Sequence, residues 1–360
     1  MLKKYCLPIF VLALSALCGC DSNTLDDIEN EVQLPLYGYI HFDTQAPTRA
    51  GLVEDMKRNF GVMGYSWEYN DANDVWNTVK VQAKPNEFYA KMVTYSDGLH
   101  SYTPLVPWKV ASKYTFFGYY PHESESGGSV AVSGDNVEGT PYLTYTLPTV
   151  PAKMQDVMTA SVYNTDYRSS REVALTFKHR LAAVDVQIIN QNAEFNGKAV
   201  YVKLTDLKLN FTNLKYSETK VWMDESMGMD RTEAANKKAS YSMTTTPLTV
   251  DPSDVASGTI KMVSSGSPLI LIPQEVDGTT QSLRGSVTFN LAYVDGNGNV
   301  NTPTDVVVQP GNHTHDIVFD GDLVAGRKHV IQLVFTRDAV SVQIIPPSEW
   351  TDNNVDIEFE

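Results

Sequence analysis

The chain has 360 residues, 43 acidic against 28 basic residues and a formal net charge of −15. An acidic surface of this kind repels phosphate backbones, so the composition argues against a nucleic-acid partner. All three cysteines, Cys6, Cys18 and Cys20, precede residue 21, so the rest of the chain can form no disulfide and depends on core burial for stability.

The first 20 residues have the pattern of a bacterial lipoprotein signal. Lys3 and Lys4 precede an apolar run over 7–17 that is too short to span a bilayer as a helix. The run ends in Leu17-Cys18-Gly19-Cys20, which resembles a lipobox, where the final cysteine is acylated. We predict a signal peptide over 1–19 and lipidation at Cys20, which would anchor the chain on a membrane. An ordinary secretory signal with a chance cysteine is the alternative.

The remainder of the chain shows short runs of alternating apolar and polar residues, and none has a helical period over 12 or more residues. The clearest predicted strands, in chain order, lie at 39–42, 60–65, 113–120, 173–179, 183–189, 200–211, 286–294, 330–335 and 340–344. A change of face is expected near Thr205-Asp206, and turns are expected at 295–299 and 336–339. Many short strands at this spacing predict an all-β fold of antiparallel sandwiches.

Three polar segments interrupt the predicted strands. Residues 121–140 are rich in Gly and Ser and predict a surface loop. Residues 224–240 break the β pattern and predict either a loop or one short helix. Residues 163–171 have the composition of a seam between domains, and we place the boundary near residue 168.

Several motifs follow the lipobox in order, and they extend over almost the whole chain. They are Thr48-Arg49-Ala50, Phe60-Gly61-Val62-Met63-Gly64-Tyr65, Tyr114-Thr115-Phe116-Phe117-Gly118-Tyr119-Tyr120-Pro121, Gln155-Asp156-Val157-Met158-Thr159-Ala160, Val173-Ala174-Leu175-Thr176-Phe177-Lys178-His179-Arg180-Leu181, Gly326-Arg327-Lys328-His329-Val330-Ile331-Gln332-Leu333 and Trp350. Together they resemble the fimbrillin family of Bacteroidales, the Mfa-like fimbrial proteins.

This resemblance implies two transthyretin-like antiparallel β-sandwich domains in tandem, over 50–168 and 169–360. Residues 20–49 would be a lipidated tether and removable first strand, a propeptide. In such proteins a protease cuts after an arginine in the first loop, and here the cut would fall between Arg49 and Ala50. Lys57 and Arg58 are nearby alternatives.

The resemblance also implies how the chain assembles. The strand holding Tyr37, Tyr39, Ile40, His41 and Phe42 would leave after cleavage, and a strand from a neighbouring subunit would fill the groove. The chain would then be a structural and adhesive subunit of a cell-surface fimbrium, exported as an outer-membrane lipoprotein through Cys20. A tip or minor subunit is slightly favoured over a shaft subunit.

The expected partners are other fimbrial subunits, outer-membrane lipid through Cys20, and a host or bacterial surface receptor. Two alternatives remain open. One is an uncleaved fimbrial anchor. The other is a surface glycan-binding lipoprotein, in which Trp67, Trp76 or Trp108, if exposed, would form an aromatic platform, although core packing is the commoner fate for tryptophan.

No catalytic motif is evident, so we expect neither an enzyme nor a cofactor. The sequence has no Gly-x-Ser-x-Gly elbow, P-loop or His-Glu-x-x-His motif. His313-Thr314-His315 places two imidazoles on one strand face, but the spacing supplies no third ligand and we predict no metal site. Asp295-Gly296-Asn297-Gly298-Asn299 starts like a calcium loop but has Val300 where the required glycine would stand, so a hairpin turn is expected there.

Overall fold

The computed structural model describes residues 37–44, 57–169, 172–192, 200–243, 247–250, 261–262, 268–275, 283–303, 306–319 and 321–349. Nearly all of the regular structure in these ranges is β. The helices described there are the four-residue α1 (Trp76–Val79) and two 3-10 turns over Glu123–Glu125 and Pro151–Lys153. The predicted all-β class is therefore confirmed.

The described strands follow the chain in this order: β1 (His41–Thr44), β2 (Phe60–Glu68), β3 (Phe88–Ser96), β4 (Leu99–Ser101), β5 (Ser112–Tyr120), β6 (Val130–Val132), β7 (Tyr142–Thr146), β8 (Met158–Thr165), β9 (Glu172–Leu175), β10 (Lys178–His179), β11 (Ala182–Asn190), β12 (Tyr201–Trp222), β13 (Met229–Ser242), β14 (Leu248–Val250), β15 (Lys261–Met262), β16 (Leu269–Leu271), β17 (Arg284–Val294), β18 (Gly311–Val318), β19 (Arg327–Phe335) and β20 (Val340–Glu349).

The strands form four sheets in the described part of the chain. A six-stranded sheet has the order β10-β8-β5-β2-β3-β4, and a seven-stranded sheet has the order β18-β17-β12-β7-β6 with β13 and β14 also on β12. A five-stranded sheet runs β15-β11-β19-β20 with β16 also on β11, and β1 pairs with β9 alone. Two of these pairings are parallel, β1 with β9 and β11 with β19. The other strand pairs in these sheets are antiparallel, as expected.

Two sequence predictions of local structure were wrong. The predicted strand over 173–179 is two strands, β9 and β10, which belong to different sheets. The polar stretch over 224–240, expected to be a loop or short helix, mostly forms β13, an antiparallel partner of β12. Backbone pairing to a long neighbour stabilises such a strand even where its side chains carry little apolar patterning.

The segment over 121–140 is also more ordered than a surface loop. It contains β6, which pairs with β7, and the buried Ser126 and Ser129. The Ser126 hydroxyl donates to the carbonyl oxygens of Glu123 at 2.8 Å and Val130 at 3.2 Å. These bonds hold the small polar residues against their own backbone. The Gly- and Ser-rich composition that predicted a surface loop is therefore that of a compact turn.

Other local predictions are confirmed. The register of β12 against β17 shifts between Thr205 and Lys208, and Asp206 has a φ of 54°, which accounts for the expected change of face. The turn after β17 is closed by the Asp295 side chain, whose Oδ1 accepts from the backbone N–H groups of Asn297 and Asn299, both at 2.9 Å. β19 and β20 pair as the expected hairpin.

Two hydrophobic clusters form the core. The larger cluster contains the inward faces of β11, β12, β17 and β19, and the smaller one is rich in aromatic side chains around β2, β3 and β5. β7, which precedes residue 168, pairs with β12, which follows it. The boundary near 168 and the tandem transthyretin-like arrangement stay predictions.

Gly285 allows a close approach between two central strands. It lies opposite Phe211, and a Cβ at this position would come within 2.1 Å of the Asn210 carbonyl oxygen. Gly285→Ala is therefore expected to lower the free energy of unfolding by about 1–3 kcal/mol, measured by urea denaturation. Gly228 has no atom within 4 Å of the same position, so Gly228→Ala is the matched control, with an expected change below about 0.5 kcal/mol. Equal midpoints for the two variants would contradict this account.

Candidate functional site

The three predicted processing residues, Cys20, Arg49 and Ala50, lie outside the described residues. The strand expected to leave after cleavage is described over 37–44. Its surroundings form the candidate site. We call this site the first-strand groove and define it by β9, residues 106–108, Phe88, Tyr102 and Phe116.

One wall of the first-strand groove is β9, which pairs with β1 in parallel. The register places His41 opposite Glu172, Phe42 opposite Val173 and Thr44 opposite Leu175. β1 and β9 have no further strand in their own two-stranded sheet within the described ranges. The backbone of β9 therefore depends on β1 for its ladder.

The other wall is the segment over 106–108, which runs antiparallel to the beginning of the strand. Tyr39 forms an isolated bridge with Pro107. The Ile40 N–H donates to the Val106 carbonyl oxygen at 2.9 Å, and the Trp108 N–H donates to the Gly38 carbonyl oxygen at 3.1 Å. Residues 37–44 thus bond along one half to 106–108 and along the other half to β9.

The side chains of the strand alternate between core and solvent. Ile40, Phe42 and Thr44 are buried, whereas His41 and Asp43 are exposed. The Phe42 ring lies 5.3 Å from the Phe88 ring, 5.4 Å from Phe116 and 5.7 Å from Tyr102, measured between centroids. These edge and tilted contacts are the favourable geometries for aromatic pairs. Phe42 therefore fills a pocket with aromatic walls.

Tyr102 links the strand to the wall over 106–108. Its hydroxyl donates to the Ile40 carbonyl oxygen at 2.7 Å and accepts from the Val106 N–H at 3.3 Å. Burial raises the pKa of Tyr102, so the hydroxyl keeps its proton and can donate. The sequence reasoning missed Tyr102 and 106–108, because Pro104 and Pro107 obscure any strand pattern there.

The alternative cleavage residues, Lys57 and Arg58, precede β2 and are exposed. Arg58 is held against the protein surface. Its Nη1 donates to the Tyr120 hydroxyl at 3.1 Å, and its guanidinium lies 5.5 Å from the centroid of that ring. A protease that cleaves after arginine would have to displace the Arg58 side chain from Tyr120 in order to bind it.

The tryptophans expected to form an exposed platform are not available as one. Trp76 and Trp108 are buried, and Trp67 is half-buried with its Nε1 donating to the Asp74 carbonyl oxygen at 3.0 Å. Trp108 packs against Tyr114 with ring centroids 4.9 Å apart. These residues serve the core, so Trp76 and Trp108 do not supply the exposed platform that the glycan-binding alternative requires.

The two histidines on β18 pack against an aromatic ring. His313 and His315 stack on Phe289, with centroids at 5.5 and 5.7 Å. Within the described ranges, no group of three His, Cys, Asp or Glu side chains is placed to hold a metal ion. The described helices include none that is long and apolar enough to cross a membrane.

The fold and the groove together define an all-β protein in which a short N-terminal strand completes the core from outside the main sheets. Residues 48–350 match the profile of the fimbrillin-like family, and the chain belongs to this family. It is 22% identical over 380 residues to the fimbrium subunit Fim1C of Phocaeicola vulgatus, covering 96% of both chains. The crystal structure of a fimbrial protein from Bacteroides vulgatus has a similar fold, with a TM-score of 0.56 and 22% identity over 81% of this chain and 93% of that chain.

Proposed function

We propose that this chain is a structural subunit of a cell-surface fimbrium, activated by cleavage after Arg49 and assembled by β-strand exchange at the first-strand groove. The observation that carries the proposal is the strand over 37–44, which is buried on one face and hydrogen-bonded to 106–108 along its first half and to β9 along its second half. Arg49 follows this strand closely in the sequence, in a polar segment where nicking is favoured.

Removal of the strand would leave the groove unstable. The Phe42 pocket would lose its occupant, and the backbone groups of β9 and Val106 would lose their partners. A strand supplied by another chain would restore both the ladder and the apolar contacts by β-augmentation. The free energy that the first strand contributes in the uncut chain would thus become available at the junction between subunits.

The contact between Arg58 and Tyr120 supports Arg49 as the residue that is cut. A cut after Arg58 would also place the new N-terminus next to β2, whose Phe60 is fully buried. A cut after Arg49 would leave the residues before β2 attached to the body of the protein. The first strand would be released without shortening the segment that precedes β2.

The chain also carries a segment that matches the groove. Ile357-Glu358-Phe359-Glu360 repeats the order of apolar and polar positions in Ile40-His41-Phe42-Asp43. In that register Ile357 would take the place of Ile40 and Phe359 would fill the Phe42 pocket. This repeat favours a subunit that both receives and donates a strand over the tip or minor subunit expected from the sequence.

Lipidation at Cys20 would hold the uncut chain on the outer membrane until cleavage releases it into the fimbrium. The proposed architecture is two tandem transthyretin-like sandwiches, with the boundary near residue 168. Other fimbrial subunits are the main partners, and a surface receptor would be bound by the assembled fimbrium. Membership in a family of structural fimbrial proteins supports a role that is not enzymatic.

Intact mass and N-terminal sequencing of the protein recovered from the native cell surface test this proposal. The mature chain is expected to begin at Ala50. Arg49→Gln is expected to leave the chain uncut and unassembled, because an arginine-specific protease then lacks its residue, whereas the control Arg58→Gln is processed as the wild type. A mature chain that begins at a lipidated Cys20 would instead support an uncleaved anchor.

A further inference from the structure

A cavity of about 280 Å³ lies away from the first-strand groove, where α1, the end of β8 and the turn between β12 and β13 meet. Its size is just below the range of about 300–1,000 Å³ that is typical of small-molecule sites. The wall residues share a mixture of aromatic rings, amides, hydroxyls and carboxylates: Trp76, Asn77, Ser161, Tyr163, Asn164, Asp224, Glu225 and Ser226.

Tyr163 gives the cavity an accessible aromatic surface. The side chain is 37% exposed, and its ring is held by an edge contact with Phe117 at 5.7 Å between centroids. Burial raises the pKa of Tyr163 to about 12, with Ser161 opposing and Asp224 adding to the shift. The hydroxyl therefore stays protonated near neutral pH and interacts with the side chains of Ser161 and Asp224 in the cavity wall, which leaves the ring face as the surface for a ligand.

The side-chain amide of Asn164 has unused hydrogen-bonding capacity at the cavity. Asn164 has a φ of 55°, and its Oδ1 accepts from the Trp76 backbone N–H at 2.6 Å. Its Nδ2 has no partner in the described part of the chain. The Trp76 indole is 1% exposed and its Nε1 is buried, so a ligand in the cavity cannot reach that donor. Asn164 is half-buried, and its amide is the donor that a ligand can reach.

The carboxylates of the cavity are balanced by nearby cations. Glu225 forms an ion pair with Lys178. The buried Arg180 donates from Nη2 to the Met227 carbonyl oxygen at 3.3 Å, and its charge interacts with Glu225 and Asp224. Asp224 Oδ1 accepts from the Ser226 N–H at 2.9 Å and from the Ser226 hydroxyl at 2.6 Å. Two acidic and two basic groups thus leave little net charge to attract an ion.

We propose that this cavity binds a neutral hexopyranose unit of a glycan, stacked on Tyr163 and hydrogen-bonded through Asn164 and Asp224. A pyranose ring offers an apolar C–H face for the aromatic ring and vicinal hydroxyls for the carboxylate and amide. The charge balance disfavours an acidic sugar and an organic cation alike. This inference is independent of cleavage and strand exchange, since the cavity is described in the uncut chain.

Saturation-transfer NMR on the full chain tests the proposal. The probes are the methyl glycosides of glucose, galactose, mannose and N-acetylglucosamine, each with and without excess free sugar. At least one is expected to receive saturation at its ring protons. Tyr163→Ala should weaken that binding about tenfold, because the stacking surface is lost. Tyr69→Ala is the matched control, since Tyr69 is 42% exposed and lies outside the cavity, and it should bind as the wild type.

Asn164→Ala could disturb Trp76, so Asn77→Ala serves as a second variant at the exposed rim and should weaken binding without a change in the urea midpoint. Tetramethylammonium is the competing probe, because an aromatic ring beside carboxylates can also hold a cation. Saturation of no glycoside, equal binding by Tyr163→Ala and the wild type, or displacement of the sugar by tetramethylammonium would each overturn the proposal.

Discussion

Replacing Phe42 with alanine is expected to lower the free energy of unfolding of the uncut chain by about 3–5 kcal/mol. The Phe42 ring is 4% exposed and contacts three aromatic rings, so its removal opens a cavity that the rigid walls of Phe88 and Phe116 cannot collapse to fill. Urea denaturation followed by tyrosine and tryptophan fluorescence measures the change.

His41→Ala is the matched control for Phe42→Ala. His41 is on the same strand but faces solvent, so the expected change is below about 0.5 kcal/mol. After cleavage at Arg49, Phe42→Ala should also accelerate loss of the first strand, observed as faster release of the fragment that ends at Arg49. If Phe42→Ala left the urea midpoint unchanged, the strand would contribute little to the core, and the energetic basis of the exchange would be lost.

Phe359→Ala is expected to weaken each junction between subunits by about a hundredfold. In the proposed register Phe359 fills the pocket that Phe42 leaves, so its loss weakens the contact between a donating chain and the groove that receives the strand. The measurement is the length distribution of fimbriae on the cell surface, with urea denaturation of the uncut chain as the second readout.

Glu358→Ala is the control for Phe359→Ala, because the corresponding residue, His41, faces solvent. It should assemble as the wild type. Normal fimbriae from Phe359→Ala would show that this chain does not donate a strand through its Ile357–Glu360 run. They would leave the receiving role of the groove intact and return the chain to the tip or minor role.

The sequence was sufficient to predict the strands whose side chains alternate between solvent and the core. β2 and β5 were predicted by their aromatic and β-branched residues, and both pair in the same six-stranded sheet. The change of face near Thr205-Asp206 was visible because the alternation of apolar residues breaks there, and the register shift of β12 is its structural cause.

The alternation of apolar and polar residues does not show with which other strand a strand will pair. The run over 173–179 looks like one strand, yet β9 pairs with β1 and β10 pairs with β8. β13 was missed for a different reason, since its sequence holds few large apolar residues and its backbone ladder with β12 is not visible in the local pattern. Neither choice is encoded in the local period of the sequence.

The candidate sites were predictable to different degrees. The apolar face of the first strand could be anticipated from Ile40 and Phe42, but the groove that receives it includes Tyr102 and Val106, which come from a segment containing two prolines. The cavity at Tyr163 could not be anticipated, because its walls come from residues near 76, 163 and 224. Only the packing of distant strands brings these groups together.

The two walls of the first-strand groove have opposite senses, since residues 37–44 are parallel to β9 and antiparallel to 106–108. A strand that entered the groove in the opposite sense would have to form a different hydrogen-bond pattern with each wall. A contact between a donor segment on one copy and a groove on the next is heterologous, because the two surfaces differ. Such contacts propagate from copy to copy into an open filament with two unlike ends, unless the rotation at each step closes a ring.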